Sequence, residues 1–331
     1  FSQINMPMLL RDLIAAIDPS VEQRVRRTRD RTRASIQEAL RSECRLSMRS
    51  ADEIEEPGST ASVRVEIEPG YPEVLERVAF PDDLEHVLLL NGYRTQIEQA
   101  VSGLQGLEEL REQLLRMSRP DQWISVSGGE LANARSWAEE LLKLRQVKDP
   151  LSEVLAVKQD ILGVYVYDAA CTDEYEVNRA VIRLYWGVIG LVSKWLACSV
   201  EDLTIVVLAH ELAHAYTQLG ADIEGRRWPS REFDRAEVDL VEGLAQYYAW
   251  QTLNRLSRKF PGALKTFDSL LAKQSSPYHA HVPWLEHFTA EAVRRAMIEA
   301  RRWREGSLEH YERRLVQAAE QLRPGRHDDY R

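Results

Sequence analysis

The sequence predicts an α+β protein that is mostly helical, with a small sheet preceding one long apolar helix. Three observations support this fold class. Apolar residues recur every three or four positions through much of the chain, which is typical of amphipathic helices. Two β-branched and aromatic runs, "ILGVYVYD" from Ile161 and "AVIRLY" from Ala180, have the length of strands. They precede "VVLAHELAHAYTQLG", Val206 to Gly220, an apolar segment without proline.

The chain has 331 residues, 44% of them hydrophobic, which is enough for about two domains. The charged stretch "QVKDPL" around Pro150 is the best candidate for a boundary. We therefore predict a helical accessory or regulatory region over residues 1–150 and a second domain over residues 151–331. In the first region, "VRVEIE" after Ser62 alternates apolar and charged residues and predicts a strand, while residues 72–80 and 83–90 predict short helices.

An arginine-rich tract from Arg24 to Arg49 carries nine arginines and three acids. Apolar residues, threonines and a cysteine recur along it every three or four positions, which predicts one buried stripe on a long helix. The arginines then lie around the rest of the helix, solvated or facing a partner. A nucleic-acid or acidic-partner surface is the alternative interpretation. The stripe consists of Val21, Val25, Thr28, Thr32, Ile36, Leu40 and Cys44.

The composition restricts the compartment and the partners. A net charge of −9 disfavours general attraction to nucleic acid or anionic lipid. The three cysteines are widely spaced without a CxxC pair, which is typical of a reducing compartment and speaks against a thiolate zinc site. No apolar run approaches the roughly 18 residues of a membrane span, and the first residues lack the pattern of a signal peptide. We expect a cytoplasmic protein that does not associate with membranes.

The apolar segment holds two histidines four residues apart, His210 and His214, with Glu211 following the first. Four residues of a helix turn through about 400°, so both imidazoles project from one face and reach a single ion. Glu211 is angled away from the pair but is close enough to the ion's open position to accept a proton from a bound water. Ser199, with Asp202 three residues later, predicts the N-cap. A core helix with two hydrogen-bonded histidines is the alternative, but the uncharged flanks favour a catalytic zinc.

A catalytic zinc usually has three protein ligands, so another residue must complete the pair. Downstream, "VDLVEGLAQYY" has helical spacing and carries Glu242 among apolar residues. An unpaired carboxylate there would be costly unless it met a cation, and Glu242 is therefore the candidate third ligand. A buried structural carboxylate is one alternative, and a third histidine such as His279 or His281 is the other.

The segments "VVLAHELAHAY" and "VEGLAQYY" resemble the gluzincin group of zinc metallopeptidases, in which HExxH on one helix is completed by a glutamate on the next. The resemblance covers roughly residues 161–253 and implies a zincin-like metallopeptidase domain. It implies that His210, His214 and Glu242 bind zinc. It also implies that Glu211 is the general base, which activates the zinc-bound water to hydrolyse a peptide bond.

Two further features of the fold and site follow from the same resemblance. The sheet is expected to have an edge strand, "AVIRLY", that pairs with the substrate backbone. Thermolysin-like enzymes have an acidic residue one turn after the glutamate ligand, which orients a zinc histidine. This chain has Gln246 there, so that role is in doubt, and Asp239 is a substitute candidate.

The resemblance also implies a tyrosine or histidine, from a segment after the glutamate helix, that stabilises the negative charge formed during hydrolysis. The segment "SSPYHAHVPWLEHF" is histidine-rich and offers His281 first and Tyr278 second. A surface loop with aromatic packing is the alternative. Between the two site helices, Asp222 and Glu224 are candidate substrate contacts or else solvated charges.

The predicted function is zinc-dependent hydrolysis of peptide bonds by a cytosolic metallopeptidase, acting on a peptide or protein substrate. Two other classes stay open. The arginine-rich helix could direct a regulatory protease to DNA or to a partner, so that it cleaves a repressor or another protein. The zinc could also be noncatalytic, in an interaction protein, although a closed structural site has no need of a glutamate base.

Overall fold

The computed structural model describes residues 8–48, 62–73, 150–155, 161–168 and 179–322, together with residues 75, 79–80 and scattered positions between 99 and 137. The strands are β1 (Met8–Leu9), β2 (Ser62–Glu68), β3 (Ala79–Phe80), β4 (Gly163–Val166) and β5 (Arg179–Tyr185). The helices are α1 (Leu10–Ala15), α2 (Ser20–Cys44), α3 (Pro150–Leu155), α4 (Trp186–Trp195), α5 (Val200–Leu219), α6 (Ser230–Asp234), α7 (Val238–Arg255), α8 (Pro261–Leu271), α9 (Val282–His287), α10 (Ala290–Trp303) and α11 (Leu308–Leu322). A 3₁₀ turn at Ser276–His279 lies between α8 and α9. The prediction of a mostly helical α+β protein with a small sheet is confirmed.

The chain divides into two compact units. The first comprises Phe1–Leu9 and Val78–Val154 and contains the antiparallel pair of β1 and β3. The second comprises Leu10–Arg77 and Leu155–Arg331 and contains the three-stranded sheet and the helix with both histidines. One break of this division falls at Val154 and Leu155, and residues 10–77 join the second unit, where α2 packs on α5 and β2 pairs with β5.

The local predictions of the N-terminal half have different outcomes. The strand predicted after Ser62 is confirmed as β2. The helix predicted over residues 72–80 is wrong at its end, where Ala79 and Phe80 form β3, since pairing with β1 overrides the local pattern. The helix predicted over residues 83–90 lies outside the described residues.

The three-stranded sheet has the order β2–β5–β4. Strand β2 runs parallel to β5, with Val63 opposite Ala180, and β4 runs antiparallel to β5, with Gly163 opposite Leu184. The expectation that "AVIRLY" is the edge strand is wrong, because this run forms β5 and is paired on both sides. The third strand, β2, comes from far earlier in the chain. In the described sheet the edges belong to β2 and β4, and β4 packs against α5.

Helix α2 buries the stripe that its sequence predicted, from Val21 to Cys44. Two of its arginines donate to backbone carbonyls of β2: Arg29 Nη1 to Val65 O at 3.0 Å, and Arg33 Nη2 to Val63 O at 2.7 Å. Four helical residues rise about 6 Å and two strand residues about 6.6 Å, so arginines four apart match carbonyls two apart. The two arginines therefore cover outward carbonyls of β2, which an open edge would offer to another chain.

Helix α5 carries the HExxH motif and is buried on nearly all sides. Ser199 Oγ accepts a hydrogen bond from Asp202 N at 2.9 Å, which confirms the predicted N-cap. Every residue of the helix except Glu201 and Asp202 is buried, and the helix packs against α2, α4, α7, α8 and β4. Although α5 is apolar, neither it nor any other described helix is long and apolar enough to cross a bilayer. Its polar side chains lie inside the protein, where each needs a partner or a ligand.

Candidate metal centre

Three donor atoms from two helices meet in the second unit. His210 and His214 lie one turn apart on α5, and Glu242 lies near the start of α7, which packs against α5. The Nε2 atoms of the two histidines are 3.1 Å apart. Glu242 Oε2 lies 3.3 Å from His210 Nε2 and 3.5 Å from His214 Nε2. The three residues predicted as ligands thus form one group that could hold a metal ion.

The spacing and chemistry of the three donor atoms fit a zinc ion. Ligands placed tetrahedrally at about 2.0 to 2.1 Å from zinc lie about 3.3 to 3.4 Å from one another. The three separations here are 3.1, 3.3 and 3.5 Å. Imidazole and carboxylate are both common zinc ligands, although two histidines and a carboxylate also suit iron(II). The three residues could therefore hold a metal ion, and their chemistry does not identify the metal.

Glu242 supplies the negative charge of this group. Its side chain is only 13% exposed. Burial alone would raise the pKa of its carboxyl group, but the imidazoles of His214 and His210 outweigh burial and hold that pKa below its ordinary value. The Oε2 atom is buried and makes no hydrogen bond of suitable geometry with the described residues. A cation bound between the carboxylate and the two imidazoles would satisfy this oxygen and both nitrogen lone pairs.

Glu211 lies beside the donor group and is 1% exposed. The backbone of Gly163, on β4, comes so near that a Cβ atom there would lie 2.9 Å from Glu211 Oε1. Glu211 and His210 also line one small pocket. A carboxylate next to a metal site is suited to accept a proton from water, which is the role the sequence predicted for this residue.

Tyr165, on β4, is a neighbour of the donor group that the sequence pattern did not reveal. Its ring is parallel to the His214 imidazole, with an interplanar angle of 6° and centroids 6.3 Å apart. Its hydroxyl donates to Gln218 Oε1 at 2.6 Å, and Gln218 Nε2 donates to Ser230 Oγ at 2.9 Å. Burial raises the pKa of Tyr165 well above its ordinary value, so the hydroxyl remains a donor. The one available signal was strand alternation, which places Gly163 and Tyr165 on the same, buried face of β4.

The two residues predicted to stabilise developing charge differ in position. Tyr278, in the 3₁₀ turn, has its ring centroid 5.9 Å from that of His210 and lines the same pocket as Glu211. His281 is 1% exposed, its Nδ1 donates to the Tyr278 carbonyl at 2.9 Å, and its ring packs edge-on against Phe267. Burial lowers the pKa of His281 to about 4, so its ring is neutral near pH 7. The geometry therefore favours Tyr278, the second of the two predicted residues, as the group that stabilises developing negative charge.

Other candidate residues have partners of their own or stand outside the donor group. His279 Nε2 lies 3.3 Å from the carbonyl oxygen of Gln274 and is not part of the group. Gln246 Nε2 donates to Gln274 Oε1 at 3.3 Å, while Gln246 Oε1 has no hydrogen-bond partner among the described residues, so Gln246 does not orient a histidine through that oxygen. Asp239 is half-buried in the first turn of α7.

The two acids between α5 and α6 stabilise their own loop. Asp222 Oδ1 accepts hydrogen bonds from the N–H groups of Glu224 and Arg226, both at 2.9 Å. Glu224 pairs with Arg302 at 2.8 Å. These contacts give both charges partners within the protein.

Comparisons with models of known protein families, with curated proteins and with solved structures found no match for this chain. The class that fold and site define is a mostly helical α+β protein with a buried group of two histidines and one carboxylate. Any function has to be argued from the residues and geometry of this site.

Proposed function

We propose that the protein is a zinc metallopeptidase, with a zincin-like second unit, that hydrolyses peptide bonds in peptide or protein substrates. The observation that carries the proposal is the position of Glu211. This buried carboxylate follows a donor histidine on α5 and lines a pocket shared with that histidine. A closed structural site has no use for such a group, whereas hydrolysis requires a proton acceptor near the metal.

The donor group would hold the metal through His210, His214 and Glu242. When bound, zinc supplies a Lewis acid that polarises a carbonyl group and lowers the pKa of a water molecule. Glu211 accepts a proton from the attacking water and then passes it to the leaving amine. Tyr278 donates a hydrogen bond to the carbonyl oxygen of the substrate as negative charge develops there.

Two further residues act through these groups. Tyr165 stacks on His214 and is itself fixed by Gln218, so it holds the imidazole in one orientation. His281 donates to the backbone of Tyr278 and so holds the 3₁₀ turn in place beside the site. Neither residue needs to touch the substrate in this proposal.

The proposed compartment is the cytoplasm. Cys44 is buried and Cys198 is half-buried, and neither forms a disulfide among the described residues. Unpaired cysteines fit a reducing compartment. Cys171 lies outside the described residues.

The central test replaces the proton acceptor while leaving the ligands intact. Glu211→Gln should keep its zinc but lower peptide turnover by about 10² to 10⁴, because a positioned base is lost while the Lewis acid stays. The matched control is Glu201→Gln, the same chemical change on the same helix, where the side chain is 43% exposed and pairs with Arg24; it should keep near-normal turnover. Turnover would be measured on a library of cell-derived peptides by mass spectrometry of new termini.

Metal analysis of the same preparations separates the competing functions. About one zinc per chain is expected in both proteins. Metal-dependent cleavage by Glu211→Gln at the wild-type rate would contradict the mechanism. Bound zinc with no cleavage of any peptide would favour the noncatalytic class, and stoichiometric iron in place of zinc would point to a different chemistry.

A further inference from the structure

A small pocket adjoins the donor group on the side of His210 and Glu211, with a volume of about 30 Å³. Half of the described lining residues are aliphatic, among them Val207 and Leu270. Gly163, Tyr278 and the two amide side chains of Gln246 and Gln274 also line it.

The position of the pocket relates it to the residue beside a cleaved bond. In the proposed function, on which this inference rests, Glu211 acts on a water that attacks the substrate carbonyl. Reacting atoms must approach within about 3 to 3.5 Å, so the carbonyl carbon lies close to Glu211. The side chains next to that carbonyl are only a few bonds away. One of the two residues that flank the cleaved bond therefore faces this pocket.

The strand backbone sets the size of the pocket. A Cβ atom at Gly163 would lie 2.9 Å from both Glu211 Oε1 and Val207 Cγ1. Glycine thus allows β4 to come into contact with α5 while leaving a little space beside the carboxylate. Val207 on α5 and Leu270 on α8 are both buried and closely packed. A large substrate side chain would therefore have to displace one of them.

The described wall of the pocket has one charged residue and offers a hydrogen-bond acceptor. Among the described residues that line the pocket, Glu211 alone carries a formal charge. Gln246 is 3% exposed, and its Oε1 has no hydrogen-bond partner in the described part of the chain. A buried carbonyl of this kind is stabilised by an incoming hydroxyl group. An acidic side chain would lie beside the like charge of Glu211, and a lysine chain is too long for the pocket.

We propose that this pocket selects substrates in which the residue beside the cleaved bond is small and uncharged, with serine preferred over alanine. Leu270 and Gly163 limit the size of that residue. Gln246 accepts a hydrogen bond from the hydroxyl group of the substrate serine. The proposal deepens the peptidase function by naming the substrate class of the same site.

The first experiment reads the preference from wild-type protein. Cleavage sites found in the peptide library, and absent with Glu211→Gln, would define which flanking position is restricted. Synthetic peptides that differ only at that position, as serine, alanine, leucine, lysine or glutamate, would then be compared by kcat/KM. Alanine should exceed leucine by about 10-fold or more, and serine should exceed alanine by about 2- to 10-fold. The peptides with lysine or glutamate at that position should have the lowest kcat/KM.

Two variants test the residues that carry the argument. Leu270→Ala should raise kcat/KM for the leucine peptide, relative to that for the alanine peptide, by about 10-fold, because the substitution enlarges the pocket. The matched control, Leu271→Ala, makes the same change at the next position of α8, outside the pocket, and should keep the wild-type order. Gln246→Leu should abolish the preference for serine over alanine. Zinc content and melting temperature would be measured for each protein to verify that it is folded and loaded.

The outcomes distinguish this inference from the proposed function. Glu211-dependent cleavage without any preference at either flanking position would overturn the pocket assignment and leave the peptidase standing. The same would follow if Leu270→Ala and Leu271→Ala had identical profiles. Absence of any Glu211-dependent cleavage would instead overturn the peptidase, and the selectivity with it.

Discussion

Helices α2 and α5 pack against each other but use their polar residues differently. Helix α2 buries one stripe and keeps most of its arginines at the surface or on the carbonyls of β2. Helix α5 buries all but two of its residues, so His210, Glu211 and His214 lie away from bulk water. A charged or ionisable residue on an exposed helix face is solvated and says little about function. The same residue on a buried helix requires a partner or a ligand, and therefore says much more.

The largest effect is expected on metal affinity, when one of the three candidate ligands is removed. Glu242→Ala should weaken zinc binding by more than about 100-fold, because residues that only orient ligands already contribute up to that factor. The affinity would be measured by competition with a chromophoric chelator. Glu312→Ala, at an exposed position of α11, is the control and should bind as the wild type does. Wild-type affinity in Glu242→Ala would remove this residue from the ligand set.

The stripe of α2 should matter more than its exposed arginines. Ile36 is 0% exposed, so Ile36→Ala should lower the free energy of unfolding by about 2 to 5 kcal/mol. Arg31→Ala, at an exposed position of the same helix, should change it by about 0.5 kcal/mol or less. Urea unfolding followed by circular dichroism compares the two. Equal midpoints would show that α2 does not depend on its buried stripe.

Tyr165 tests whether β4 orients a ligand of the buried helix. Tyr165→Leu removes the ring stacked on His214 and should weaken zinc binding by about 10- to 100-fold, or about 1.4 to 2.7 kcal/mol. Tyr165→Phe keeps the ring but loses the bond to Gln218, and should lose clearly less affinity. The chelator competition assay measures both proteins. A loss in stability without a loss in metal affinity would mean that Tyr165 only packs the core.

The smallest effect concerns the arginines that α2 directs at the sheet. Arg33→Ala should cost about 1 kcal/mol in unfolding free energy, because the carbonyl of Val63 loses its charged donor. Arg31→Ala again serves as the comparison, since both changes remove the same side chain from the same helix. If unfolding midpoints of the two variants coincide, the arginine does not stabilise the edge of β2.

The donor residues could be predicted from sequence because helical spacing fixes which side chains share a face. His210 and His214 are one turn apart, and Glu242 stands among apolar neighbours, so both signals are local. Tyr165 and Gly163 gave no such signal. Their closeness to the site depends on how β4 packs against α5, which local spacing does not determine.

The order of the sheet was not predicted, for the same reason. Strand β2 pairs with β5 across a long stretch of chain, so β5 became the centre of the sheet instead of its edge. No spacing rule relates a 3₁₀ turn to a distant helix, so the sequence does not determine which of His281 and Tyr278 lies nearer to His210. In the fold, Tyr278 lies beside His210, and His281 holds the backbone of Tyr278.

The arginine cover on β2 has a consequence during synthesis on the ribosome. Strand β2 emerges long before β5, because residues 69–178 lie between them. Contacts between segments so far apart in the chain form late, since bringing them together costs conformational entropy. Helix α2 is made first, so Arg29 and Arg33 can bind the nascent strand at once and protect it from pairing with other chains. Helix α7, with Glu242, is made after all these segments, so capture of a metal would come among the last steps of folding.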